Sequence, residues 1–581
     1  MIDTRQFLWK IGAPAGYGVL SIGHSMARVA ARAGLQSYNY AEYPSLIQGG
    51  HNTSEVLMSP GVATTTKHLV DCLVCLTPDT FTLHQHRLHE HSLLVYDPVL
   101  PNPEFNAHHI QLPLQDILAS LKADKIMINT VALGASTALL GGTLESLTPL
   151  ITEQFGHKKP EVTEKNIECV TAGYQYIMEH YPTEIIPVLR VLNGPTPEAT
   201  VLDGNTAFSL GAVAANCKFY AAYPMSPSSS VVEILAGWQE KIGMVVRHAE
   251  DEIGVVNEAL GASFAGVRAA TGTSGGGFAL MVESLSYAGI AEIPLVVFLA
   301  QRPGPATGMP TWTEQGDLLF AIHAGHGEFP KIILAPGDIG EMISLTKKAF
   351  NLAEIYQTPV IVLSDKLLSE SVQSITKEHL QLMLAQNPVD TGKTITATDQ
   401  KPYLRYQHTS DGISPRLIPG VPGSFYQANS YEHLQDSHTT EEAVERTAQV
   451  NKRAKKEETY LTKDFEVPTV YGNLTTSDTV LVCWGAVKGA AFAAQQLLAV
   501  QGVSVAIIHF THVFPLDPAR VAQLFAEHKR YILVENNSTG QLGQVLKQTI
   551  GIDFREKLLK YDGRPIFTEE IIGAVQKRSG K

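Results

Sequence analysis

Residues 218–230 read Lys-Phe-Tyr-Ala-Ala-Tyr-Pro-Met-Ser-Pro-Ser-Ser-Ser. Lys218–Ala222 has the content of a buried strand. Pro224 and Pro227 then hold the backbone extended, and Ser228 to Ser230 can cap a helix. That helix is expected at Val231–Gln239, where Val231, Ile234, Leu235 and Trp238 form an apolar stripe. Open α/β sheets place ligands where a strand end feeds a capped helix. Loop and capping chemistry alone would also produce this stretch.

Three further stretches lie downstream. His248-Ala249-Glu250-Asp251-Glu252-Ile253-Gly254 opens a helix with Ile253, Val256, Leu260 and Phe264 on one face. Glu252 flanks that face, whereas Glu250 and Asp251 point toward solvent. The helix macrodipole favours acidic residues at this end by about 0.3–1 kcal/mol, which accounts for all three unless Glu252 is buried. Thr271-Gly272-Thr273-Ser274-Gly275-Gly276-Gly277 joins an apolar strand to the helical Phe278–Tyr287. Successive glycines cost roughly 0.5–1 kcal/mol each relative to alanine, so they mark either a flexible turn or the close approach of a backbone or ligand. Gln301-Arg302-Pro303-Gly304-Pro305 ends the strand Pro294–Ala300. Arg302 there can grip a carboxylate with its planar fork, or form a surface ion pair.

Around this block (residues 204–371) the chain divides into α/β segments. Residues 1–190 begin with a strand, Phe7–Ile11, a turn holding Gly12, Gly16 and Gly18, a helix over Val19–Ala33 stopped by Gly34, and a strand near Ser37–Tyr40. This reads as a βαβ unit with a right-handed crossover. The full G-x-G-x-x-G spacing fails because Ser21 stands in the third position, so a dinucleotide site and a plain tight turn both remain open. Gly49-Gly50-His51 marks another glycine turn. A Pro/Gly-bearing linker is expected near Asn193–Pro197. Residues 372–465 read as a connector with one polar helix, whose run Lys452-Arg453-Ala454-Lys455-Lys456-Glu457-Glu458 suits a solvated face. Residues 466–581 hold strands at Thr479–Trp484, Val503–His509 and Tyr531–Glu535.

Composition narrows the function. The 581 residues are 44% hydrophobic and 17% charged, with a formal net charge of −13, which supports packed cores and argues against a nucleic-acid binder. Five cysteines exclude a disulfide scaffold. The N-terminus lacks a secretory pattern and no apolar run approaches the roughly 20 residues of a membrane span, so a cytoplasmic protein is expected. Cys72 and Cys75 sit in the apolar stretch Leu69–Leu76 and read as strand residues. The clustered His84, His86, His89 and His91 read as a polar loop or helix.

Taken in order and spacing, the four central stretches resemble the α subunit of the 2-oxoacid:ferredoxin oxidoreductases, in the 2-oxoglutarate branch. The run from Arg302 to Asp317, with Gly304-Pro305, Thr307-Gly308, Pro310-Thr311 and Glu314-Gln315, is the most specific part. The resemblance implies a multidomain α/β fold. Residues 1–190 would be a Rossmann-like γ domain fused in front, linked to coenzyme A with Gly12, Gly16 and Gly18 as candidates. Residues 204–371 would form the pyrimidine-binding domain of thiamine diphosphate, and 466–581 a transketolase C-terminal-like domain.

The resemblance also implies roles. Glu252 would hydrogen-bond N1′ of the aminopyrimidine, with Tyr223, Pro224, Ser226, Thr273 and Ser274 around the cofactor. Ser226 and Arg302 would meet the substrate, Arg302 through its carboxylate. The family's Tyr-Pro-Ile-Thr-Pro pattern reads Tyr-Pro-Met-Ser-Pro here, and Gln48 replaces an arginine common before Gly-Gly-His. The chain lacks a four-cysteine cluster motif and a Gly-Asp-Gly upstream of Asn536-Asn537, so no metal site is expected in it. A separate β subunit would carry Mg2+, the diphosphate end and a [4Fe-4S] cluster, giving a heterodimer or a dimer of heterodimers. The implied reaction is coenzyme A-dependent oxidative decarboxylation of a 2-oxoacid, 2-oxoglutarate to succinyl-CoA, with reduction of ferredoxin. The alternatives are a self-sufficient thiamine decarboxylase or synthase, a catalytically silent binding subunit and, more distantly, a nicotinamide dehydrogenase.

Overall fold

In the computed structural model, the first strand, Phe7–Pro14 (β1), is buried on both faces from Leu8 to Ala13. The model describes residues 6–46, 49–99, 105–106, 108–190, 198–422, 424–525 and 529–577. Gln48 and the linker at Asn193–Pro197 lie outside them. Burial of β1 traps a charge at Lys10. Its cross-strand partner Glu55, on His51–Ser59 (β3), answers it with an Nζ–Oε2 distance of 3.0 Å. Arg87 adds a second cation at 2.8 Å from the same oxygen. Burial alone would raise the Glu55 carboxyl, but Arg87 and Lys10 hold it down at about 2.

The helix Val19–Arg32 (α1) buries Val19, Ile22, Met26 and Val29 and ends at Gly34, whose φ is +83°. Gln36–Glu42 (β2) follows. The expected βαβ unit is modified: β3 lies between β1 and β2 and is antiparallel to both. The turn at Gly49–Gly50 feeds this inserted strand. Beyond β1 come Val70–Cys75 (β4), the helix Pro78–His84 (α2), Leu88–Tyr96 (β5) and His108–Gln111 (β6), with the four strands β1, β4, β5 and β6 parallel. Cys72 and Cys75 are buried strand residues. The eight-stranded sheet is completed beside β2 by Val372–Thr376 and Ala199–Leu202. The helices Ile128–Leu139 and Pro160–His180 contribute Ile128, Val131, Leu139, Cys169, Val170 and Ile177 to the core of this unit.

This first unit comprises the residues up to Asp203, Glu370–Leu380 and the chain from Phe567 on, and the rest forms a second unit. In the second, strands Cys217–Ala222 (β7), Val245–His248 (β8), Arg268–Thr273 (β9), Leu295–Gln301 (β10), Ile332–Leu334 (β11) and Pro359–Asp365 (β12) form one parallel sheet in the order β11-β12-β10-β9-β7-β8. His512–Phe514 adds an antiparallel edge to β11. The strands β9, β10 and β12 are buried throughout, as strands covered on both faces must be. A second, five-stranded sheet holds Thr479–Trp484 next to Arg530–Glu535 and Val505–Phe510. Among the described residues no helix is long and apolar enough to cross a membrane.

Four readings need correction. The three glycines Gly275–Gly277 are not a turn; they form the first turn of the helix Gly275–Ala291. The helix Ser230–Ile242 has no side-chain cap from Ser229; Ser228 instead donates to Met225 O at 2.8 Å. In the helix Glu252–Phe264, Ile253 is exposed, and Val255, Val256, Ala259 and Leu260 make the buried face. The charged run after Asn451 is not a solvated face. Lys452, Arg453 and Lys456 are buried on the helix Ala443–Lys463. Lys452 and Lys456 reach the two oxygens of Glu292 at 2.5 and 2.7 Å, and Arg453 forks onto Glu432. Burial of like charges there is possible only because Glu292, 160 residues earlier in sequence, ends a neighbouring helix.

Candidate active site

The parallel order of the sheet puts the carboxyl ends of β7, β9 and β10 side by side. Tyr223, Ser274 and Arg302 follow those ends directly. Glu252 is carried to the same place by the start of its helix, where Asp251 serves as N-cap by accepting from Gly254 N at 2.7 Å. Capping by Asp251 fixes the phase of the helix and so turns Glu252 inward. The Glu252 side chain is buried, and its Oε1 has no hydrogen-bond partner among the described residues.

Glu252 faces the first turn of the glycine helix. A Cβ at Gly277 would lie 2.2 Å from Glu252 Oε1 and 2.1 Å from Thr273 Oγ1. Only glycine lets the carboxylate and the threonine meet there. Thr273 and Ser274 are fully buried, and Ser274 Oγ is also without a partner. Met225 Sδ lies 3.9 Å from Thr273 Oγ1. Next to this buried group Gly276 is exposed and opens to solvent. An unsatisfied carboxylate oxygen and hydroxyl, both shielded from water, cost roughly 1–3 kcal/mol each. A ligand's polar edge could satisfy them, and a nitrogen heterocycle with an edge N fits the carboxylate.

Arg302 donates from Nη1 to the carbonyl of Ser226 at 2.8 Å, so these two predicted substrate residues are brought together. Tyr223 is 38% exposed and Pro224 is also at the surface; neither is enclosed by this chain. The structure also shows a group to which sequence reasoning gave no role. Asp317 lies against Gly275: a Cβ there would be 2.5 Å from its Oδ2. Burial raises the Asp317 carboxyl to about 6, against the pull of Arg302. Glu314 is raised by burial and by Asp317, and burial lowers Arg302.

The segment bearing Asp317 is clamped. Asp317 N donates to Gln301 Oε1 at 2.9 Å. Gln315 exchanges two bonds with Asn536, N to O at 2.7 Å and Oε1 from N at 3.0 Å, and donates to Trp484 O at 2.9 Å. Asn537 donates to Gln315 O at 3.1 Å, and Gln541 to Gly316 O at 2.7 Å. The Asn536-Asn537 pair thus holds the substrate-side segment in place.

The first unit has its own cavity, of about 400 Å3, at the end of β1 and the start of β3; Ala15, Gly50, His51, Asp79, Thr82 and Leu83 line it. Of the three candidate glycines, Gly12 is required by close packing, since a Cβ would meet Thr80 at 2.7 Å and His51 Nε2 at 2.8 Å. Gly18 has φ +68° and would strike Asn129. Gly16, with φ +95°, has open space beside it. His84 packs on His51 with ring centroids 5.3 Å apart, and burial pushes it down to about 2. Of the histidines expected in a polar loop or helix, His84 is thus a half-buried neutral ring at the end of the helix α2.

Comparison with known proteins places this geometry. Residues 8–176 match the pyruvate ferredoxin/flavodoxin oxidoreductase family model. Residues 210–452 match the thiamine-diphosphate-binding domain of pyruvate flavodoxin/ferredoxin oxidoreductase, and 473–558 match the transketolase C-terminal domain. The 2-oxoacid:ferredoxin oxidoreductase subunit alpha of Saccharolobus solfataricus is 32% identical over 628 aligned positions, spanning 97% of this chain and 96% of that one. The 2-oxoglutarate oxidoreductase subunit KorA of Mycobacterium tuberculosis is 30% identical over 79% of this chain and 69% of its own. The structure of 2-oxoglutarate:ferredoxin oxidoreductase from Magnetococcus marinus, with 2-oxoglutarate, coenzyme A and succinyl-CoA bound, superposes with a TM-score of 0.90 at 30% identity, covering 99% of this chain and 100% of that one. A multidomain α/β chain with a thiamine-diphosphate-binding domain, a transketolase C-terminal-like domain and matches of this extent belongs to the 2-oxoacid:ferredoxin oxidoreductase family, as an alpha subunit.

Proposed function

We propose that the chain carries out coenzyme A-dependent oxidative decarboxylation of 2-oxoglutarate, yielding succinyl-CoA and reduced ferredoxin, in an assembly with a separate β subunit. The observation that carries this reading is the buried Glu252 carboxylate beside Gly277, whose Oε1 has no hydrogen-bond partner among the described residues. Its support on the substrate side is the similarity to the Magnetococcus marinus enzyme, which binds 2-oxoglutarate, coenzyme A and succinyl-CoA.

Glu252 would hold N1′ of the aminopyrimidine, with Thr273 and Ser274 alongside and Tyr223, Pro224 and Ser226 flanking. When bound, thiamine diphosphate supplies a carbon nucleophile and an electron sink. Glu252 shares a proton with the ring nitrogen through Oε1. Burial of Thr273 and Ser274 keeps water from competing for that carboxylate. Arg302 exchanges its bond to the Ser226 carbonyl for the substrate's carboxylate, which it grips with two parallel N–H groups. Gly276, open to solvent, leaves room beside them.

Coenzyme A would use the cavity of the first unit, with Gly16 at its turn and His51 in its wall; Gly12 and Gly18 shape the backbone there. The five cysteines are all buried, and burial raises the thiols of Cys72 and Cys75 so that they stay protonated. This supports a reading in which the [4Fe-4S] cluster, and the Mg2+ at the diphosphate end, belong to the β subunit. The test is to purify the full chain with and without a β subunit of the same enzyme and to measure 2-oxoglutarate-dependent viologen reduction. Activity only in the assembly supports the reading; full activity from the lone chain overturns the division of labour.

A further inference from the structure

The turn that bears Ser226 is held through successive carbonyls. The Met225 carbonyl accepts from Ser228 within the turn itself, from N at 2.9 Å and from Oγ at 2.8 Å. The Ser226 carbonyl accepts from Arg302 Nη1 at 2.8 Å. The Pro227 carbonyl accepts from Asn205 Nδ2 at 2.7 Å, and the same nitrogen donates to Ser230 Oγ at 2.7 Å. Among the described residues, Arg302 and Asn205 are the donors that reach these carbonyls from elsewhere in the chain.

Both donors come from one packed assembly. Asn205 lies in the first turn of the helix Gly204–Ala214. A Cβ at Gly204 would meet the Leu368 carbonyl at 2.2 Å, so this helix start is seated directly on backbone. Phe208, one turn further on, stacks on Phe298 of β10 with ring centroids 4.3 Å apart. That strand ends at Gln301, next to Arg302.

The amide of Asn205 is kept for its N–H groups. The residue is 1% exposed, and its Oδ1 has no partner among the described residues. A buried, unpaired amide oxygen destabilises the fold, and a side chain that only filled space would not carry one. Both N–H groups are used, and turning the amide over would set its oxygen against the Pro227 carbonyl.

Substrate binding then changes the balance. When Arg302 leaves the Ser226 carbonyl for the carboxylate of the 2-oxoacid, Asn205 is the donor that still ties the turn to the rest of the unit. We propose that Asn205 is a positioning residue: its bond to the Pro227 carbonyl holds Ser226 at the substrate while Arg302 is engaged with the carboxylate. Only hydrogen bonds are exchanged. This inference rests on Arg302 and Ser226 meeting the substrate.

The test is a double-mutant cycle on kcat/KM for 2-oxoglutarate, measured by viologen reduction with the assembled full-length enzyme. Asn205→Ala and Ser226→Ala are each expected to lose at least tenfold. The double variant is expected to lose no more than the larger single loss, because the amide acts through Ser226. Asn205→Leu, of similar size and without a donor, carries the same expectation, so the outcome does not hang on one variant folding. Ser230→Ala removes the other bond of the amide and keeps that to Pro227; it is expected to stay within twofold of the wild-type enzyme. Single losses that multiply in the double variant, Asn205 variants within twofold of wild type, or a Ser230→Ala loss as large as that of Asn205→Ala overturn the proposal. If Ser226→Ala loses tenfold while the Asn205 variants do not, the role of Asn205 alone fails. If Ser226→Ala keeps the wild-type kcat/KM, the reading of Ser226 at the substrate fails, and this inference with it.

Discussion

Glu252 Oε1 and Gly277 stand so close that a methyl group on residue 277 would lie 2.2 Å from the carboxylate. Real carbon–oxygen contacts do not reach that distance, so one of them must move. The helix of Gly277 is anchored by buried Phe278 and Met281, so the carboxylate is the part that gives. Gly277→Ala is expected to fold, to weaken thiamine diphosphate binding and to lower 2-oxoglutarate turnover at least tenfold. Fluorescence titration of the cofactor and a viologen assay check both halves.

Glu252→Gln removes the shared proton while preserving shape. Because Oε1 has no partner among the described residues, folding stability is expected to change by less than about 1 kcal/mol. Turnover is expected to fall by about 10²–10⁴-fold, the usual contribution of a positioned acid–base group. Thermal melting beside steady-state assays of the assembled enzyme separates the two effects.

The clamp on the Asp317 segment predicts a different pattern. Gln315→Ala leaves Asn536 N–H and Trp484 O, both buried, without their partner. A loss of about 2–4 kcal/mol of stability follows from two unsatisfied groups. The KM for 2-oxoglutarate is expected to rise more than the dissociation constant of thiamine diphosphate, since the clamp serves the substrate end. Denaturant unfolding and paired titrations measure these.

Acid should attack the first unit through Glu55. Its carboxyl is held near 2 in the folded state, below an ordinary value of 4.5. A depressed carboxyl stabilises the fold fully above its unfolded pKa, and that contribution is lost as pH falls from about 4.5 through 2. Glu55→Gln leaves Lys10 and Arg87 buried without a counter-charge. It is expected to cost about 3–5 kcal/mol near neutral pH and to flatten the stability curve between pH 4.5 and 2. Urea unfolding at several pH values gives the answer.

Much of this was legible from residues because the information was local. The parallel strands β10 and β12 of the second unit are apolar runs over most of their length, and Thr479–Trp484 was read to the residue. Glu252 flanked the expected apolar face and took its role from the resemblance, and the structure buries it. The helix starts at Ser230, Glu252 and Gly275 were misread in local detail, whereas the larger misreadings came from a partner distant in sequence. Lys452 and Lys456 recur at a helical spacing that suits water equally well, until Glu292 is brought between them. The β3 strand, inserted between β1 and β2, answers the buried Lys10 with Glu55, which no local pattern announces. The placement of Asp317 depends on Gly275, 42 positions away, and on Asn536, which follows a strand of a different sheet. The signal that was available for it is Gln315-Gly316-Asp317 following the arginine-bearing loop.

The central claim concerns one oxygen atom. A crystal or cryo-electron microscopy structure of the chain assembled with its β subunit and thiamine diphosphate tests it most directly. The account predicts Glu252 Oε1 at about 2.6–3.2 Å from N1′ of the aminopyrimidine, with Gly277 beside the pair. An aminopyrimidine ring bound elsewhere, or a Glu252 oxygen that no ring atom reaches, would contradict it.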